Sequence, residues 1–278
     1  MSAPQQNTKI PFTKASACGN DFLLVEVAHF SGDLSALTRR LCDRHRGVGA
    51  DGVEWLFPDA DADVKARLIN SDGSEAEISG NGTRCVAAEI CSRADKEPRT
   101  EVVVRTGAGL KTCRLTGRQG SVFEFEADMG PPEVGGQLSI ETMGVRVVGM
   151  KVSMGNPHFV IFVENFEDGW QRQAALIQTQ PQFPQGTNVV YVVVRGGNKH
   201  DRGARENQIE IRIFERGAGE TESSGTGSCA AAVAAIASAR VASPVTVISP
   251  GGPQTVRWEN QVYLRGPATL ICRGEFFV

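Results

Sequence analysis

The sequence predicts a mixed α/β protein of the α+β type, built as two pseudo-symmetric domains, each a curved, mostly antiparallel sheet wrapped around one central helix. Three observations carry this expectation. One pattern is written twice, as Glu75-x-Glu77-x-Ser79-Gly80-x-Gly82 and as Glu220-x-Glu222-x-Ser224-Gly225-x-Gly227. A looser pair precedes each copy: Gly19-Asn20-Asp21-Phe22 leads into Leu23-Leu24-Val25, and Gly155-Asn156-Pro157-His158-Phe159 leads into Val160-Ile161-Phe162-Val163. Two matches in the same order read as a duplicated unit. Between the motifs, short β-branched runs bounded by Gly, Pro and Asn outnumber helical stretches, so sheet dominates.

Taken in order, residues 1–8 are polar, lack the charged-then-apolar layout of a signal peptide, and are expected to form a flexible tail. Helical periodicity covers Ser35 to His45. After the first Gly-x-Gly, an apolar stretch containing Cys85-Val86-Ala87-Ala88 predicts a buried helix from Thr83 to Arg93. Glu101–Arg105 and Val122–Glu126 read as strands, and Asp128-Met129-Gly130-Pro131-Pro132 has the composition of a domain crossover. Strands follow at Val145–Val152, Val189–Val194 and Gln208–Phe214, with a weaker helix at Gly169–Gln178. The charged, Gly-bearing stretch from Arg195 to Arg202 reads as a solvated hairpin loop in preference to a lid. The second Gly-x-Gly opens another buried helix, Cys229 to Ala239, which falls far short of the ~20 apolar residues a membrane span needs. The run from Ala268 to Val278 is strand-like.

Composition narrows the function classes. A length of 278 residues suits two ordinary domains. The net charge of −3, with both signs interspersed, offers no basic stripe for nucleic acid and no polybasic segment for a membrane, which leaves a small molecule as the expected ligand. The seven cysteines, Cys18, Cys42, Cys85, Cys91, Cys113, Cys229 and Cys272, form no C-x-x-C pair and match no histidine spacing. No metal site and no disulfide framework is expected. Reduced thiols, most of them small core residues, point to a cytoplasmic setting.

Each Gly-rich turn sits at a helix start. Unpaired backbone N–H groups and the positive end of the helix dipole favour an anion there, so two such starts read as two half-sites gripping one carboxylate-bearing ligand.

Asn70-Ser71-Asp72-Gly73-Ser74-Glu75, Gly80-Asn81-Gly82-Thr83-Arg84-Cys85, Gly155-Asn156-Pro157-His158 and Glu215-Arg216-Gly217-Ala218-Gly219-Glu220-Thr221, with Gly19-Asn20-Asp21-Phe22 and the segment Arg44-His45-x-Gly47-Val48-Gly49-Ala50-Asp51-Gly52, together resemble diaminopimelate epimerase over essentially the whole chain. Proline and hydroxyproline racemases share the logic, but those segments look less like theirs. The resemblance implies a cofactor-free isomerase of lysine biosynthesis, interconverting LL- and meso-diaminopimelate in a cleft between two domains. It places residues 9–128 plus 268–278 in the first domain and 129–267 in the second, and implies a homodimer. Inversion needs one group to take the α-proton and another to deliver a proton to the opposite face. With no pyridoxal to take up the charge, helix starts aimed at the α-carboxylate would spread it, a role the resemblance gives to Gly80, Asn81, Gly225 and Thr226. It gives the distal ammonium and carboxylate to Asn20, Asn70, Asn156, Asn188 and Arg216. Asn20 and Asn156 are equally suited to plain turns by composition.

One departure matters. The family carries a catalytic cysteine directly before each Gly-x-Gly, and here both positions are serine, Ser79 and Ser224. A thiol near pKa ~8.5 can be lowered toward neutrality at a helix start. A serine hydroxyl needs an adjacent base, and losing placed acid–base catalysis costs ~10²–10⁴-fold per group. Impaired epimerisation is therefore expected, with His158 and Glu215 as catalytic candidates beside the two serines. Two alternatives stand beside it: a relative with one-base isomerase or dehydratase activity on another amino or hydroxy acid, with a serine helped by His158 or Glu215, which the family places beside its thiols; or a non-catalytic ligand-binding protein. Cys85, Cys229 and Cys18 are expected to be structural.

Overall fold

The computed structural model describes residues 9–93, 99–195 and 207–278. The polar start of the chain and all of the charged loop beyond Arg195 up to residue 206 lie outside the described residues. The chain divides into two compact units, one running to Ala127 and taking back Pro267–Val278, the other spanning Asp128–Gly266.

In the first unit, β1 (Lys9–Ala17) and β2 (Asn20–Glu26) form a hairpin. Helix α1 (Leu34–Cys42) then crosses to β3 (Gly52–Phe57), which lies parallel to β2, and β4 (Val64–Asn70) returns antiparallel. The stub β5 (Glu75–Ala76) pairs with β4 and feeds α2 (Gly80–Ser92), which crosses to β6 (Glu101–Thr106), parallel to β4. Strands β7 (Gly109–Gln119) and β8 (Val122–Asp128) continue antiparallel. The final strand of the chain, Val262–Phe277, pairs with both β8 and β1, so the pairings close into a ring. Two apolar layers follow from the alternation of β3. Val53 and Trp55 pack with Leu37 and Leu41 of α1, while Leu56 joins Phe22, Leu24, Leu68, Phe123 and Phe125 around Cys85, Val86, Ala87 and Ala88 of α2. Phe123 and Phe125 are fully buried, and each contributes roughly 1.5–3 kcal/mol by leaving water.

The second unit repeats this connectivity. β9 (Glu133–Thr142) and β10 (Val145–Ser153) form a hairpin, and β11 (Pro157–Phe162) pairs antiparallel with β10. Helix α3 (Trp170–Gln178) crosses to β12 (Asn188–Arg195), parallel to β11. β13 (Gln208–Glu215) returns antiparallel, β14 (Gly219–Thr221) is the stub, and α4 (Gly225–Ala237) crosses to β15 (Val245–Ser249), parallel to β13. β16 (Gly252–Trp258) and the first residues of β17 (Val262–Phe277) complete the sheet. Cys229 to Ala235 of α4 are all at 0% exposure and are wrapped by β-branched residues of β12, β13 and β15. A helix this apolar on every side is stable only when enclosed.

Two details differ from the sequence expectation. Both central helices begin earlier, at Gly80 and Gly225, because Ser79 and Ser224 themselves cap them. The sheets also contain parallel pairs, two per unit, because each helix serves as the crossover that a parallel pair requires. Cys18, Cys42, Cys85, Cys91, Cys113 and Cys229 are buried free thiols, and Cys272 is exposed. Among the described residues, no helix is long and apolar enough to cross a membrane, and no group of three or more His, Cys, Asp or Glu could hold a metal ion.

Candidate active site

The two Ser-Gly-x-Gly segments are built alike, each within its own unit. Ser79 and Ser224 have extended backbones (φ −124° and −141°), and each hydroxyl accepts a hydrogen bond from the N–H three residues on, Gly82 at 3.0 Å and Gly227 at 3.2 Å. Serine is among the preferred residues for this cap. Capping leaves the N–H groups of Gly80 and Asn81, and of Gly225 and Thr226, outside helical pairing. The second glycine of each motif is closely packed. A Cβ on Gly82 would lie 2.1 Å from Glu54 Oε1 and 3.2 Å from Ser79 Cβ, and one on Gly227 would lie 3.1 Å from Ile213 Cδ1 and 3.1 Å from Ser224 Cβ. At Gly80 an added Cβ would meet nothing within 4 Å, so that side of the turn is open.

In the first unit, Asn20 and Asn81 are brought together. Asn81 Nδ2 donates to Asn20 Oδ1 at 2.6 Å, Asn20 Nδ2 donates to Asp51 Oδ2 at 3.2 Å, and Asn81 Oδ1 accepts from the Arg84 guanidinium at 2.6 Å. Arg84 is 1% exposed and also reaches Pro267 O (3.4 Å) and Cys18 Sγ (3.7 Å). Cys18 itself has φ 50°, so this turn holds a non-glycine residue in the left-handed region. Asp51 is fixed with Asp21 by Arg44, which donates to both at 2.8 Å. Asn70 stands apart from this set, donating through Nδ2 to Ser74 Oγ at 3.0 Å within its own turn.

In the second unit, the expected residues fall into two sets. Asn156 donates weakly to Thr226 Oγ1 at 3.4 Å, and its backbone carbonyl lies 3.0 Å from His158 Nδ1. A carbonyl only accepts, so Nδ1 carries the proton and Nε2 holds a lone pair. Burial pushes the His158 imidazole down to about 4, against the bond to Asn156, so the ring is neutral at pH 7. His158 Nε2 and Asn156 Oδ1 are both buried and have no hydrogen-bond partner among the described residues. Asn188 holds the other set, accepting from Arg216 N at 2.9 Å and donating to Pro157 O at 3.1 Å, while Arg216 Nη1 donates to Gln185 O at 2.6 Å.

Glu215 belongs to the Ser224 turn. Thr221 Oγ1 donates to Glu215 Oε1 at 2.8 Å, and Ser224 is the other side chain that acts on this carboxyl. Burial raises the Glu215 carboxyl above its ordinary range, and Thr221 and Ser224 pull it part of the way back. Ser224 thus accepts from the helix beside a carboxyl of raised proton affinity, a setting in which a hydroxyl can relay a proton.

Sequence reasoning missed Thr221, Arg84 and Glu54 as parts of these turns. The signal for Glu54 was present as a lone acid in the apolar run Gly52-Val53-Glu54-Trp55-Leu56-Phe57.

The family model for diaminopimelate epimerase matches residues 12–134 and 150–271. The chain is 38% identical to a diaminopimelate epimerase of Pelotomaculum thermopropionicum and 37% identical to one of Moorella thermoacetica, each alignment covering 95% of this chain and 98% of the relative. Solved structures with the same fold include a phenazine biosynthesis protein of the PhzF family from Bacillus anthracis (TM-score 0.71, 14% identity, covering 97% of this chain and 99% of that one). A hydroxyproline epimerase from Agrobacterium vitis is also similar (TM-score 0.68, 18% identity, 98% and 92% covered). Identities this low speak for the fold alone, whereas the family match and the full-length relatives, joined to the duplicated capped turns, settle the lineage: the chain belongs to the diaminopimelate epimerase family.

Proposed function

We propose that this chain interconverts LL- and meso-diaminopimelate, with the Ser79 and Ser224 hydroxyls at the two proton-transfer positions. The observation that carries the reading is the Ser224 turn, where one hydroxyl caps a helix start beside the Glu215 carboxyl, whose proton affinity burial raises. Proton abstraction leaves negative charge on the α-carboxylate. The open N–H groups of Gly80, Asn81, Gly225 and Thr226 are the donors suited to it. The partnerless acceptors Asn156 Oδ1 and His158 Nε2 are of the kind that suits an ammonium group. Asn20, Asn70, Asn188 and Arg216 are assigned to the remaining polar groups of the substrate, Arg216 to a carboxylate.

Proton balance sets the expected rate. The Cα–H electron pair stays on carbon while one hydroxyl relays the proton away, and the other hydroxyl returns a proton to the opposite face. A serine alkoxide never accumulates, so each transfer must be coupled to a neighbouring carboxyl, and the rate falls below that of a thiol pair. The test is incubation of the protein with LL-diaminopimelate in D₂O, followed by NMR. Loss of the α-proton signal together with appearance of the meso isomer is expected; an unchanged spectrum would remove the epimerase assignment and favour a ligand-binding or one-base relative.

A further inference from the structure

Glu54 is a buried carboxyl that the roles above leave without a purpose. It lies mid-strand in β3, 3% exposed, with Leu24 and Leu68 as its neighbours on the flanking strands. Both leucines belong to the apolar layer around α2. Its carboxyl is directed at the first turn of that helix. The position a Gly82 Cβ would take lies 2.1 Å from Glu54 Oε1, 3.1 Å from Glu54 Cδ and 3.2 Å from Ser79 Cβ, so the carboxyl and Ser79 converge on one side of this glycine. No ion pair joins Glu54 to another described residue, and the titratable group its charge is seen to act on is the Cys85 thiol of α2, which it pushes up. An isolated carboxyl in such a layer costs stability, and an aliphatic side chain of similar volume would remove the cost. Burial alone pushes it up to about 8, which makes it a base matched to neutral pH.

We propose that Glu54 is the proton partner of Ser79, a positioning residue acting through that hydroxyl as Glu215 acts through Ser224. In the abstracting direction, the Cα–H proton passes to Ser79 Oγ as the Oγ proton passes to the Glu54 carboxylate. The carbon keeps the electron pair, Ser79 remains a neutral hydroxyl, and Glu54 becomes a carboxylic acid. In the reverse direction each transfer runs backwards. The substrate part of this rests on the epimerase reading, while the coupling of Glu54 to position 79 does not.

Two measurements separate these. In the Ser79→Cys protein, the rate of iodoacetamide alkylation at position 79, located by peptide mass spectrometry, is followed against pH. A neighbouring carboxylate delays thiolate formation, so adding Glu54→Gln is expected to move the midpoint down by about one pH unit. Glu54→Leu, which suits the flanking leucines, should do the same if the glutamine variant folds poorly. An identical midpoint with and without the carboxyl would overturn the proposal. In the serine protein, Glu54→Gln is expected to slow α-proton exchange of diaminopimelate by ~10²–10⁴-fold. It should also abolish the rise in rate centred near pH 8, and Glu54→Asp should restore part of both. Unaltered exchange with an unaltered pH profile would also overturn it. A shifted thiol midpoint in a protein whose parent exchanges no diaminopimelate would uphold the Glu54 coupling and refute the substrate instead.

Discussion

His158 shows how a single buried side chain ties stability to pH. Its imidazole ordinarily titrates at 6.5 and is pushed down to about 4 by burial. Between these values the unfolded chain binds a proton that the folded chain refuses, so the stability His158 contributes is full above about pH 6.5 and is lost as pH falls toward 4. His158→Asn should therefore lose less urea resistance between pH 7 and pH 5 than the parent. The same variant removes the Nε2 acceptor, so turnover or affinity for diaminopimelate should fall while the fold persists; undiminished turnover and affinity would exclude His158 from the site. Glu54 has the opposite sign. Its carboxyl is raised from 4.5 to about 8, so it weakens the fold as pH rises through that interval, a cost consistent with a group kept for chemistry. His158 is legible in sequence because its Gly-Asn-Pro context marks it out. Glu54 left a mark, a lone acid in an apolar run, but that mark looks like a solvent-facing strand position until α2 is seen to cover it.

The serines that cap α2 and α4 carry a structural duty beside the chemical one proposed for them. Ser79→Ala or Ser224→Ala removes the side-chain acceptor for the Gly82 or Gly227 N–H and should cost about 0.5–2 kcal/mol each in urea unfolding. Serine-to-glycine exchange at the same positions should cost only a few tenths of a kcal/mol, because glycine tolerates a cap with solvent in its place. Equal losses for alanine and glycine would mean the caps do not hold the turns. The apolar, Ala-rich character of these helices was plain in the sequence, and so was their position after a Gly-x-Gly. Their first turn was not, since Gly80-Asn81-Gly82 and Gly225-Thr226-Gly227 have poor helix propensity and are held helical by the cap and by burial. The parallel pairs β2–β3 and β11–β12 were equally hidden, because a strand's partner across a helical crossover leaves no local mark.

At the scale of the molecule, duplication was readable from two short motifs in the same order, and each unit repeats one chain path of hairpin, crossover helix, stub strand and central helix. The part of the C-terminal strand from Pro267 onward is a distinct feature of the first unit. Phe276 and Ile10, Glu275 and Pro11, and Arg273 and Thr13 are paired in register, and Leu270 N donates to Ser121 O at 3.0 Å. Deleting Pro267–Val278 would leave β1 and β8 with unpaired edges and open the ring, so the shortened chain should lose its cooperative urea transition for the first unit and aggregate. A full, parent-like transition after deletion would show that the ring closure is dispensable.

The central claim is that these two capped serines occupy the proton-transfer positions of a diaminopimelate epimerase. The most direct test compares α-proton exchange and inversion of LL- and meso-diaminopimelate in D₂O between this chain and its Ser79→Cys/Ser224→Cys variant. Slow exchange by the serine protein and a gain of ~10²-fold or more in the variant is expected, because thiols supply the acidity that hydroxyls lack. Exchange by neither protein would contradict the assignment of substrate and positions together.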